Sequence, residues 1–160
     1  MLYNVYIHKA SDSKRSVYAY FMQNASTGSY SEHVIVKKIK RKQAQTSDRE
    51  NDFKAFQAII RHTAKQTDVH KANFIFVKNM TEFLFELVGA EETEHTYLRD
   101  SANWLLQRFV SYNLEGSNGE EHQAVAVIDN GMQELERHKS VLYRFQRLIK
   151  KLKGEDLTYE

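Results

Sequence analysis

The chain opens on an alternation. Tyr3, Val5 and Ile7 fall on one side of an extended backbone and Leu2, Asn4, Tyr6 and His8 on the other, the period-two pattern of a strand. The polar run Ser11 to Ser16 breaks it and Val17 to Met22 resumes it. A turn around Gly28 and Ser29 leads to a third alternating stretch, His33 to Ile39. Three strands with short connections predict an antiparallel meander. Next, Ser47 and Glu50 have the spacing of a capping box, and Phe53, Phe56, Ile59, Ile60 and Ala64 recur at helical intervals, with Lys54, Gln57, Arg61 and Lys65 opposite. A helix with one buried face is expected to start at Ser47. After the polar break Gln66 to Lys71, the run Phe74 to Val77 is apolar without alternation, as in a strand covered on both faces. Asn79 or Thr81 can cap a further helix, whose stripe Phe83, Leu84, Leu87 and Val88 stops at Gly89, a residue that tolerates positive φ. The order is βββαβα. A helical crossover of this length most simply returns the chain parallel to an earlier strand.

Beyond Glu94 the pattern changes. Leu98, Ala102, Leu105, Phe109 and Tyr112 step by four and three, with Trp104 beside them. Ile128, Met132, Leu135, Leu142, Ile149 and Leu152 continue the stepping after the loop LEGSNG. This predicts an antiparallel helical hairpin whose last helix outruns the sheet. A competing reading makes Ala124 to Ile128 a fifth strand. The expected division is an α/β core over 1–90 and a hairpin over 91–160, packed on the core or projecting from it, with a frayed tail after Gly154.

Composition sharpens this picture in three places. At 160 residues, with 41% hydrophobic and 28% charged positions, the chain suits one ordinary domain with an appendage. The absence of Cys excludes disulfides, thiolate nucleophiles and Cys-ligated zinc. With no long apolar run and no signal-peptide layout, a soluble cytoplasmic protein without a membrane partner is expected. The net charge of +2 is uninformative, but its placement is not. Residues 37–42 read KKIKRK and residues 137–153 carry no carboxylate, whereas 82–121 are rich in Glu.

The order βββαβα, with Thr46-Ser47 leading to Asp52-Phe53-Lys54-Ala55-Phe56 and with the stretch Phe74 to Phe83 (FIFVKNMTEF), resembles the ribonuclease H-like fold over residues 1 to about 90. Activity in that family implies several carboxylates converging on two divalent cations, which activate water and stabilise the leaving oxygen. Carried over, the first-strand carboxylate position falls on His8 or Lys9 and the helix position on Asp52. The position at the end of the fourth strand falls on Lys78 or Asn79, and the last-helix position is nearest Asp129. At most two of four acids survive, and a lysine in that cleft would repel Mg²⁺. The resemblance therefore implies the fold without the family's two-metal activity.

Other constellations are sparse. His8 with Asp52 is a candidate general-base pair. The remaining histidines show no metal-ligand spacing, and Glu91, Glu92, Glu94 and His95 read as an acidic loop. No phosphate-binding glycine loop or nucleophile elbow occurs. The basic residues Lys37, Lys38, Lys40, Arg41 and Lys42, with Tyr18, Tyr20 and Tyr30 as stacking groups, and Arg144, Arg147 and Lys151 on one face of the last helix, form the candidate nucleic-acid surface. At the strand edge the same lysines would also discourage edge-to-edge pairing. The expectation is a non-catalytic, cofactor-free module associated with nucleic acid. The alternatives are a protein-interaction or homo-oligomer module working through the C-terminal helices, and a Mg²⁺- or Mn²⁺-dependent nuclease with acids relocated among Asp12, Asp52, Glu82 and Asp129.

Overall fold

A computed structural model describes residues 1–11, 14–66, 70–77, 80–117 and 158–159. The meander forms as the alternation predicts. Strands β1 (Leu2–Ser11), β2 (Arg15–Asn24) and β3 (Tyr30–Lys38) pair antiparallel, with Lys9 opposite Tyr18 and Tyr20 opposite His33. Gly28, at φ 73°, turns the chain between β2 and β3. After one 3-10 turn, Arg41–Gln43, helix α1 (Ala44–Ala64) crosses the sheet and delivers β4 (Lys71–Val77) parallel to β1. Helices α2 (Thr81–Leu87) and α3 (Thr96–Leu106) follow, then β5 (Ser111–Ser117), parallel to β4, and β6 (Thr158–Tyr159), parallel to β3. The strand order is β5-β4-β1-β2-β3-β6.

The two faces of β1 and β2 diverge as strand geometry requires. Val5, Ile7, Tyr18, Tyr20 and Met22 enter the main core with α1, while Tyr6, Ala19 and Phe21 form a second cluster. At the centre of the main core Phe56 meets Phe74, Phe76 and Phe83 in edge-to-face contacts with ring centroids 5.1–5.8 Å apart, the arrangement that aromatic quadrupoles favour. Across β1, β4 and β5, Asn113 donates to Asn73 at 3.1 Å and Asn73 to Asn4 at 3.0 Å, so one in-register row is held by amides.

Several expectations need correction. Helix α1 starts at Ala44, three residues before the expected cap, and its N-cap residue Gln43 makes no side-chain cap bond. The Ser47 hydroxyl instead accepts from the Lys40 N–H at 3.1 Å, and Glu50 pairs with Lys54 at 2.8 Å. Gln57 does not face water, because α3 covers it and it donates to the Leu98 carbonyl at 3.0 Å. Thr81 does not cap α2, whose N-cap is Met80 without a side-chain bond; Asn79 lies outside the described residues. Gly89, at φ 82°, ends α2's last turn as expected.

The helix expected through Tyr112 stops at Leu106. Phe109 is buried from the turn that follows, and Tyr112 and Leu114 pack against the core from β5. Residues 96–117 therefore do not stand apart from 1–90: α3 lies on α1 and β5 extends the sheet. The rest of the expected hairpin, and the alternative strand 124–128, lie outside the described residues. The tail is paired at one point, Thr158 and Tyr159 lying beside Ile35 and Val36, so β3 is not a bare edge there.

Phe56→Ala should lower the unfolding free energy by about 3–5 kcal/mol, because the ring is 1% exposed and touches three others. Tyr97→Ala, on the outer side of α3 at 82% exposure, should stay within about 0.5 kcal/mol of the parent. Urea titration followed by circular dichroism separates the two outcomes.

Candidate functional site

The site grows from the end of β1. Lys9 points towards α1, the side to which Tyr18, its cross-strand partner, also points; the ammonium lies 5.9 Å from the Tyr18 ring centre. From α1, one turn apart, come Asp48 and Asp52. The Lys9 ammonium is 2.8 Å from Asp48 Oδ2 and 2.8 Å from Asp52 Oδ1, with its side chain 7% exposed and that of Asp52 1% exposed. The Tyr18 hydroxyl donates to Asp52 Oδ1, and the Ser16 hydroxyl donates to Asp48 Oδ1. Arg49 closes the far side. It donates to Asp52 Oδ2 at 3.0 Å and reaches α2, where it contacts Glu86 at 2.6 Å and Glu82 at 3.2 Å. Both oxygens of Asp48 and both of Asp52 are thus engaged.

The electrostatics follow from burial. Removal from water pushes the Asp52 carboxyl above the ordinary carboxylate range, and Lys9 and the Tyr18 hydroxyl pull it back. Burial, reinforced by the negative charge of Asp52, pushes the Tyr18 phenol far up. It stays protonated and acts as a fixed donor.

The two residues at the end of β1 face opposite sides of the sheet. It is Lys9, and not His8, that meets Asp52. His8 is buried on the opposite side of β1, beside the Tyr6 and Ala19 row, so a His8–Asp52 general-base pair does not form. A two-metal centre does not fit the donor set, since an ammonium and a guanidinium already occupy the oxygens such a centre would use. Among the described residues no group of three or more His, Asp or Glu is placed to hold a metal ion. Asp12, Asn79 and Asp129 lie outside the described residues.

Arg49 was not legible as a site residue, because its role depends on α2 folding back beside the start of α1. A second assembly also escaped sequence spacing. Tyr20 and His62 Nδ1 are 2.6 Å apart, and the His33 and His62 rings meet edge to face at 4.4 Å, joining β2, β3 and the last turn of α1.

The basic candidates separate. Lys37 is buried, whereas Lys38, Lys40 and Lys42 are exposed along the connection from β3 to α1. Asn51 donates to the Lys38 carbonyl at 2.9 Å and so ties that connection beside the site. Two further cations join this edge that the sequence pattern did not bring there: Arg15 lies opposite Lys38, and Lys14 accepts the Ile39 N–H through its carbonyl at 2.8 Å. Tyr18 and Tyr20 are buried and cannot stack on bases; Tyr30 is exposed. The Arg41 side chain, Arg144, Arg147 and Lys151 lie outside the described residues. On the other side of Arg49 opens a cleft of about 480 Å³ lined by Asp48, Glu82, Glu86, Glu91, Glu92, Glu94 and His95 among others. No helix among the described residues is long and apolar enough to cross a membrane.

Neither a protein-family model nor the sequence of a curated protein matches this chain. Solved structures do. RNase H1 from the halophilic archaeon Halobacterium salinarum superposes with a TM-score of 0.55 at 16% identity, over 73% of this chain and 86% of that one. The N-terminal RNase H domain of a Mycobacterium tuberculosis protein gives 0.56 at 12% identity, over 72% and 81%. At such identities the likeness establishes the fold. The chain has a ribonuclease H-like fold, and at the end of β1 the Lys9 ammonium is bonded to Asp52 of α1.

Lys9→Met leaves the Asp52 carboxylate buried without its closest cation, and breaking a buried pair in this way costs about 3–5 kcal/mol. The loss should be larger at pH 7 than at pH 5. A carboxyl whose folded-state pKa lies above its unfolded value favours the folded state when protonated, so its contribution falls as pH rises through that window. The Lys9→Met, Asp52→Leu pair should recover part of the loss. Urea unfolding of both variants at the two pH values checks the sign.

Proposed function

We propose that this chain is a non-catalytic binding module built on a ribonuclease H-like fold, and that it associates with nucleic acid through the basic edge formed by Lys14, Arg15, Lys38, Lys40 and Lys42. The observation that carries the non-catalytic half is the Lys9 ammonium, 2.8 Å from both Asp48 and Asp52. A tethered cation neutralises these carboxylates as a metal would, yet it offers no open coordination position at which water could be activated.

The nucleic-acid half is supported by placement. Three exposed lysines lie along one connection, beside Arg15 at the start of β2 and Lys14 just before it, and this is the surface on which counterion release would favour a phosphate backbone. The acidic cleft beyond Arg49 repels phosphates, so the strand would run along the β2–β3 edge and not across the former catalytic centre.

Binding to single-stranded, duplex and hybrid oligonucleotides, titrated with salt and with Mn²⁺ present, tests both halves. For about three to four phosphate contacts the logarithm of affinity should fall with the logarithm of salt at a slope near −3. Lys38→Glu with Lys40→Glu should weaken binding about tenfold or more and flatten that slope by about two. Asp52→Asn, chosen because truncation to Ala would leave Lys9 and Arg49 uncompensated, should leave binding unchanged, and no cleavage should occur. Cleavage that depends on Asp52 would restore the nuclease reading; the absence of binding at low salt would remove nucleic acid as the ligand.

A further inference from the structure

The outer face of α3 has no partner within the described chain. Its inner side is accounted for: Ala102, Leu105 and Leu106 are buried, and Asn103 donates to the Leu87 carbonyl at 3.3 Å. Tyr97 and Trp104 lie opposite, seven residues apart and so on one side of the helix two turns from each other, and they are 82% and 70% exposed. Between them on that side is Asp100, which among the described residues pairs with its neighbour Arg99 at 3.3 Å, on the surface, an ion pair that contributes little and exchanges easily.

Charge around this face has one predominant sign. The segment leading into α3 carries Glu91, Glu92 and Glu94, all exposed, and these line the cleft that Glu82 and Glu86 enter from α2. Over residues 91–104 four carboxylates face a single guanidinium. Exposed aromatic faces flanking a carboxylate, next to an acidic cleft, match one kind of ligand. The rings attract a guanidinium or ammonium through their quadrupoles, the acids supply the counter-charge, and a polyanion is repelled.

We infer that the outer face of α3, with the acidic segment 91–94 before it, is a docking surface for an arginine- and lysine-rich segment of a protein partner. Charge complementarity selects this occupant. A nucleic acid would meet four carboxylates, and a second copy packed through antiparallel α3 helices would bring its Asp100 close to the first copy's Asp100. The Tyr97 and Trp104 rings, about 10 Å apart along the helix, would take up two cationic side chains of an extended chain, while Glu91, Glu92 and Glu94 hold those that follow. This surface shares no residue with the basic edge at Lys38, so the inference does not rest on that edge binding nucleic acid.

Trp104 is the only tryptophan of the chain, and its emission reports directly on the surface. A short Arg-Ser repeat peptide titrated into the full-length protein at low salt should change that emission saturably, with calorimetry giving the same affinity; its Glu-for-Arg counterpart should do nothing. Trp104→Ala and Tyr97→Ala should each weaken calorimetric binding about two- to fivefold, and Glu92→Lys with Glu94→Lys about tenfold. These side chains are exposed, so the variants should unfold at the parent's urea midpoint. The inference is overturned if the peptide does not bind, if the substitutions leave its affinity unchanged, if a single-stranded oligonucleotide shifts the emission where the peptide does not, or if light scattering shows a dimer that Trp104→Ala dissociates.

Discussion

Lys9 places a full positive charge beneath a helix, where the water that would solvate it has been removed. An ammonium buried in this way costs several kcal/mol unless carboxylates replace the lost hydration, and α1 supplies two of them one turn apart. The requirement then spreads. Asp52, itself almost fully buried, needs donors at both oxygens, and Tyr18 and Arg49 provide them. Arg49 has more N–H donors than Asp52 can accept, and with them it holds Glu86 and Glu82 of α2. Through this sequence of compensations one lysine at the end of β1 fixes how the meander, the crossover helix and the second helix meet.

Much of this architecture could be read from periodicity, because burial imposes a period of two on β1, β2 and β3 and a period near 3.6 on α1. The readings failed where two structures share one spacing. Leu98, Ala102, Leu105, Phe109 and Tyr112 step like one helix, but the helix ends at Leu106, a turn buries Phe109, and Tyr112 belongs to a strand. Tyr112, Leu114 and Gly116 do alternate with Asn113 and Glu115, a strand signal that the heptad stepping outweighed. Ser47 failed differently. Its spacing to Glu50 is that of a cap, yet a 3-10 turn upstream starts the helix early and leaves the hydroxyl free to fasten Lys40.

The site was legible only in its parts. That an acid was missing at the end of the first strand could be seen in the sequence, and Asp52 was identifiable from the helix that carries it. Which of His8 and Lys9 faces Asp52 is a matter of strand parity: the side chains of neighbouring residues leave on opposite faces, and only the register with Tyr18 settles it. Asp48 and Arg49 join through three-dimensional convergence that no linear spacing encodes. The basic edge shows the same limit. KKIKRK stands out as a run, but strand alternation buries Lys37, while the antiparallel register brings Arg15 to Lys38 from a distant part of the chain.

A carboxylate cluster at the end of β1 needs cations to exist in a folded protein at all. A pair of divalent ions supplies four positive charges, but it must be recruited from solution, and the cluster would repel itself in their absence. Lys9 and Arg49 supply two positive charges permanently, at no cost in recruitment, to the two buried or half-buried acids that need them most. The remaining acids, Glu82 and those of the 91–94 segment, lie outward where water can solvate them. Charge at the end of β1 is thereby compensated within the chain, and an ammonium, unlike a metal ion, cannot polarise a bound water into a nucleophile. The surface is uneven for the same reason: Arg49 reaches Glu82 and Glu86 from within, whereas Glu91, Glu92 and Glu94 line the outer part of the cleft and give it a negative field.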